Sequence, residues 1–194
     1  MKRHVLMLSI LFFAGGLTAS IYAKGPQDRK AKKEAKKEAN EVMKEKRREM
    51  LEDYYSNISE ILESRNFVLE ADYLSDHYGN RITVNSDFNF LKVEDNRAVL
   101  QVSSNSSIGH NRLGGITVEG NISTWKVKKN PKTQSVSLSM GIISTTGPYE
   151  VQLTVNAEGN SNATVSGIRM GKLVYTGELV PLEISRAFEG SVSY

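Results

Sequence analysis

At 194 residues the chain is long enough for one domain of ordinary size with an appendage, and two full domains do not fit. It contains no cysteine, which excludes a disulfide framework, thiolate metal sites, a cysteine nucleophile and an acylated lipoprotein cysteine. The formal charge of +3 is unevenly spread: residues 66–194 carry eleven Lys/Arg against twelve Asp/Glu, so the later body lacks the positive face expected of a nucleic-acid reader.

Residues 1–23 open with Lys2, Arg3 and His4, continue through the apolar run Val5 to Leu17 and close on small residues around Ala19, Ser20 and Ala23. A basic start, an apolar stretch too short for a comfortable membrane span and a small-residue end predict a signal peptide, cleaved after Ala23 or at Ala19 or Ser20. The expectation is export to the periplasm or beyond, with no stable membrane span after cleavage.

Residues 24–65 are rich in Lys, Glu, Ala, Arg and Met, the strong helix formers, and predict one long charged helix. Up to Asn40 this stretch has nothing apolar larger than alanine, so it has no face to bury and reads as a solvated or partly disordered lead-in. Leu51, Tyr55, Ile58 and Leu62 then step by four, three and four along one face. That seam has three readings: it covers an open end or face of the following domain, it forms a weak homo-oligomer as a two-heptad coiled coil, or it meets a partner or membrane surface.

At Asn66 the period changes from that of a helix to that of a strand. Phe67, Leu69, Ala71 and Tyr73 share one face, and Glu70 and Asp72 the other, which is expected to be wet. A short strand over Arg81 to Val84 follows, with Ile82 and Val84 inward. Phe88 to Glu94 and Arg97 to Ser103 flank Asp95-Asn96, a two-residue hairpin turn. The longest connection runs from Ser104 to Gly115, and Ile116 to Lys128 is one bent strand or two, with Trp125 and Val127 inward. The clearest alternation places Val136, Leu138, Met140 and Ile142 opposite Tyr149, Val151, Leu153 and Val155 as a core hairpin. Asn162 to Ile168 and Lys172 to Val180 complete the set before Pro181, which lacks an N–H for the ladder. The tail from Leu182 has no period and either adds a last strand or wraps loosely.

The fold class that results is mainly β: an antiparallel β-barrel or sandwich of about 9–10 short strands over residues 66–194, preceded by one long charged α-helix. Phe67, Phe90, Trp125, Leu138, Val151 and Tyr175 are expected to line its apolar interior.

From Asn66 onward the chain resembles a family of exported proteins of Gram-negative bacteria known as domain of unknown function 4251. The residues that carry the likeness are Asn66-Phe67-Val68-Leu69-Glu70-Ala71-Asp72-Tyr73, Phe90-Leu91-Lys92-Val93, Gly114-Gly115-Ile116, Trp125-Lys126-Val127, Asn162-Ala163-Thr164-Val165 and Tyr175-Thr176-Gly177. A Lys/Glu/Ala-rich helix after a signal peptide is also similar. The resemblance implies export and an all-β body; it brings no activity, cofactor or site residue.

Chemistry-bearing patterns are sparse. His110, the serines at 103, 104, 106 and 107, and Asp72 or Asp87 supply the residue types of a Ser-His-Asp hydrolase, but no positioning motif such as Gly-x-Ser-x-Gly accompanies them. Asp72, Asp76 and His77 fall short of the about six oxygens of a hard-cation site or the three or four donors of a zinc site. Gly109 to Gly115 lacks the lysine and helix of a phosphate loop. The reading is a non-catalytic envelope protein without cofactor or metal, binding an unknown protein or a small apolar ligand and no nucleic acid. The candidate ligand contacts are His110 and Arg112 in the long loop, with Trp125 and Tyr175 from the core. A small hydrolase, or an oligomeric module built on the 51–62 seam, are the alternatives.

Overall fold

The structure is a computed structural model that describes residues 26–103, 115–167 and 171–190. The leader therefore lies outside the described residues. One helix, α1 (Pro26–Ser64), precedes nine strands: β1 (Asn66–Ser75), β2 (Arg81–Thr83), β3 (Phe90–Glu94), β4 (Arg97–Val102), β5 (Ile116–Asn130), β6 (Ser135–Ser144), β7 (Gly147–Val155), β8 (Asn160–Gly167) and β9 (Gly171–Pro181). The chain forms two compact units that divide after Met43, so Lys44–Ser64 of α1 folds with the strands. In the first unit the described side chains of α1 are exposed, and Lys37 pairs with Glu41 at 4.0 Å. No helix among the described residues is long and apolar enough to cross a membrane.

The strands form a closed antiparallel barrel. β3 to β9 pair in chain order, β1 pairs with β3 on one side, and β1 pairs with β9 to close the ring of eight. β2 stands outside the ring: it continues beside β1 at Tyr73–Ser75, where β3 has ended. Closure requires strands to bend, and the ladder breaks register between Ala71 and Tyr73 in β1 and between Ile122 and Thr124 in β5. The first bulge presses on β9. A Cβ built on Gly177 would lie 1.9 Å from the Glu70 carbonyl oxygen and 2.8 Å from the Ala71 Cα, so only glycine allows this approach.

The described inward side chains pack against one another. Phe67, Leu69, Leu91, Leu100, Leu138, Ile142, Leu153 and Tyr175 are fully buried and belong to one apolar cluster. The expected core hairpin forms in full register, with Val136 opposite Val155, Leu138 opposite Leu153, Met140 opposite Val151 and Ile142 opposite Tyr149.

The seam of α1 closes one end of the barrel. Ile58 and Leu62 join the interior cluster, with Tyr54, Tyr55, Ile61 and Trp125 half-buried around them. Two ion pairs fix the helix to neighbouring turns, Lys129 with Glu63 at 2.8 Å and Arg47 with Glu158 at 3.2 Å. Full burial of one Leu or Ile side chain stabilises by about 1.5–3 kcal/mol, against about 0–1 kcal/mol for an exposed ion pair, so the apolar contacts hold the helix and the charges orient it. Arg65, at φ 58°, turns the chain from helix into β1 and sets its guanidinium 4.8 Å from the Trp125 ring centroid.

Several expectations change. Phe90 lies on the outer wall rather than inside, in a second cluster with Val68 and Val99 under Val180, Leu182 and Ala187. The register explains it: Phe90 stands opposite Glu70 and Gln101, which both face outward. Glu70 in turn is buried rather than wet, because the C-terminal segment after Pro181 lies over it; its carboxylate accepts the Ser185 hydroxyl at 2.7 Å and the Arg186 N–H at 2.9 Å. Asp72 is exposed at the bulge, and Ile82 points outward because β2 flanks the ring instead of joining it. β5 is one strand, its bend taken up by the bulge.

Replacing Leu62 by alanine should cost about 3 kcal/mol in urea unfolding, the range for truncating a buried leucine, and should shift the emission of the single tryptophan to the red as its cover loosens. An unchanged midpoint would show that the helix does not seal the barrel. Gly177→Ala should destabilise by about 1–3 kcal/mol through overpacking at the bulge, whereas Gly79→Ala, with open space around its Cβ position, should lose only what its φ of +89° costs an alanine.

Candidate functional site at the barrel end opposite the helix

The strand directions place the β1–β2, β4–β5, β6–β7 and β8–β9 connections together at the end opposite α1. Residues 104–114 and 168–170 of these connections, and with them His110, Arg112 and the serines at 104, 106 and 107, lie outside the described residues.

The described part of the rim is shaped by short polar turns carrying exposed apolar groups. Asp76 organises the β1–β2 turn: its carboxylate accepts the N–H groups of Tyr78 and Asn80 at 2.9 Å each and the Asn80 side-chain amide at 2.8 Å. The amide of Asn80 is the main reason its carboxyl titrates below the usual range. The His77 and Tyr78 rings meet tilted at 41° with centroids 3.7 Å apart, and the Arg81 guanidinium lies 3.7 Å from the Tyr73 ring centroid. Tyr78 is 80% exposed, Ile82 60%, Ile143 61% and Ile116 43%. Two shallow grooves, of about 340 and 440 Å³, run down the outer wall from this rim and meet at Pro148 and Glu150.

Below the rim the described inward side chains are buried. Tyr149 and Tyr175 lie there, the Tyr149 hydroxyl bonding Thr146 at 2.9 Å and the Tyr175 hydroxyl donating to the Gln101 carbonyl at 3.4 Å. Burial pushes the Tyr175 phenol well above its ordinary value, so it stays a neutral donor. Trp125 sits at the α1 end between Phe67, 6.2 Å away between centroids, and Arg65. Both aromatic candidates thus serve the packing of the core. Ser103 is tied to Asn89, whose side-chain amide donates to its hydroxyl at 3.0 Å while the Ser103 N–H donates back at 2.9 Å. Asp87 lies 3.9 Å from Arg186. Among the described residues no three His, Asp or Glu side chains converge as metal donors.

Sequence reading missed a charged constellation on the outer wall. Arg97 donates to Glu119 at 2.6 Å and to Glu189 of the C-terminal segment, while Lys92 reaches Glu94 at 3.0 Å and Glu189 at 3.4 Å. Nothing periodic could announce it, since Glu189 belongs to a segment with no repeat. The Arg97 hydrogen bond holds the Glu119 carboxyl below its usual range and raises the guanidinium further. Because the folded value is depressed, the stabilisation is complete above the unfolded pKa of about 4.3 and disappears as pH falls through the folded value. With the Glu119 side chain 38% exposed, solvent screening limits the pair to about 1 kcal/mol or less. Glu119→Gln should therefore lower stability by that amount at pH 7, with the loss shrinking as pH falls through the depressed folded value, as read from urea midpoints across pH.

The family model described as Domain of unknown function (DUF4251) matches residues 49–179. The chain is similar to the crystal structure of a DUF4251 family protein from Bacteroides eggerthii DSM 20697, at 29% identity and a TM-score of 0.57, covering 68% of this chain and 90% of that one. No curated protein matches.

Proposed function

This chain belongs to the DUF4251 family, a family of unknown function, and from that premise we propose that it is an exported, non-catalytic envelope protein whose barrel end opposite α1 holds a protein partner. The signal-like residues 1–23 support the export route, and the near-neutral body argues against nucleic acid. The observation that carries the binding reading is the contrast between the described inward side chains, which are buried, and a rim that leaves Tyr78, Ile82, Ile116 and Ile143 in solvent. Large exposed apolar side chains at one end suit contact with another protein.

A photo-crosslinking residue in place of Ile82 or Ile143, in the full chain with its leader, tests this in a Gram-negative host. The expected result is one discrete adduct in the envelope fraction, absent when the probe replaces exposed Thr154 near the opposite end. A chain retained in the cytoplasm, or identical adducts from all positions, would contradict the proposal.

A further inference from the structure

The segment Leu182–Gly190 crosses the outer wall of the barrel without joining a ladder. After a single 3-10 turn at Leu182–Ile184 it runs extended, with Ser185, Ala187 and Glu189 half-buried toward the wall and Ile184, Arg186 and Phe188 exposed. The wall beneath it reads peptide main chain. Gln101, fully buried, donates its side-chain amide to the Phe188 carbonyl at 2.8 Å and accepts the Gly190 N–H at 2.8 Å. The other half of the same amide is held by the barrel, donating to the Phe88 carbonyl at 3.1 Å and accepting the Thr117 hydroxyl at 2.9 Å. Its orientation is therefore fixed by groups that do not belong to the segment. Glu70 accepts the Arg186 N–H and the Ser185 hydroxyl, and the Asp87 carbonyl accepts the Phe188 N–H at 2.7 Å.

The remaining contacts define a short pattern. Ala187 packs on the floor of Val68, Phe90 and Val99, and the Glu189 carboxylate meets Arg97 and Lys92, which Glu119 and Glu94 hold from the barrel side. Contacts to main-chain atoms do not depend on which chain supplies them. On an empty wall the Gln101 amide stays held in place by Phe88 and Thr117, with one N–H and one lone pair free for another main chain.

We infer that the wall formed by β1, β3, β4 and β5 is a peptide-docking track, occupied in cis by Leu182–Gly190, that takes in its place an extended segment of a partner protein with a hydroxyl, a small residue and a carboxylate at alternate positions. This site is separate from the rim, and neither depends on the other.

The test uses the full chain with Ser185→Ala and Glu189→Ala, which loosens the segment while leaving the wall intact. A fluorescent peptide with the sequence of Leu182–Gly190 is titrated by anisotropy. Binding at least 10-fold tighter than to the unaltered chain is expected, with a further loss of at least 10-fold when Gln101→Leu is added or when the peptide's second glutamate is replaced by lysine. Circular dichroism and urea midpoints establish that each variant is folded. The inference is overturned if the folded variant does not bind the peptide, or if binding ignores both the Gln101 and the charge change. Unfolding of the double variant would make the segment an integral part of the wall and would equally overturn it. Concentration-dependent dimers without peptide binding would assign the track to a second copy of the chain and overturn the partner assignment.

Discussion

The pairing of β1 with β9 is the constraint on which the rest of the molecule depends. Without it the strands are an open meander with two unpaired edges; with it every ring strand has two neighbours and the apolar faces enclose one core. β1 serves two partners on one side, β3 along its first half and β2 along its second, while running against β9 along almost its whole length. The bulge at Asp72 lets one strand do both, and Gly177 is the concession β9 makes to it.

Closure leaves two problems, and different parts of the chain solve them. One open end exposes core side chains, and Ile58 and Leu62 of α1 cover it. The outer wall of β1, β3 and β4 carries Val68, Phe90 and Val99, too apolar to face water, and the segment after Pro181 covers that. The elements flanking the barrel in sequence thus become its lid and its strap. The other end has no such cover among the described residues, which is why the functional reading settles there.

How much of this could be read from the sequence follows from how far each signal reaches. Alternation is local, so β6 and β7 were legible residue by residue, and the four-three-four spacing of Leu51 to Leu62 announced a buried helix face. The choice between barrel and sandwich was not legible, because it turns on pairing between the first and last strands, which leaves no local trace. Phe90 and Glu70 were misjudged for a related reason: period two assigns residues to faces but does not say that both faces are covered. The cover is a segment without period, held by Gln101, Glu70 and Arg97 through contacts no motif encodes. Trp125 and Tyr175 are legible as inward aromatics, and the structure buries Tyr175 in the core and leaves Trp125 half-buried against Phe67 at the α1 end.

The closed ring is tested most directly by native-state hydrogen exchange of the amides in β1 and β9. If the ring is closed, hydrogen-bonded amides on the β1–β9 seam exchange only through global unfolding, at the same free energy as those of β6 and β7. Seam amides that open at markedly lower free energy than the β6–β7 hairpin would show a frayed edge in place of a closed barrel and would contradict the account.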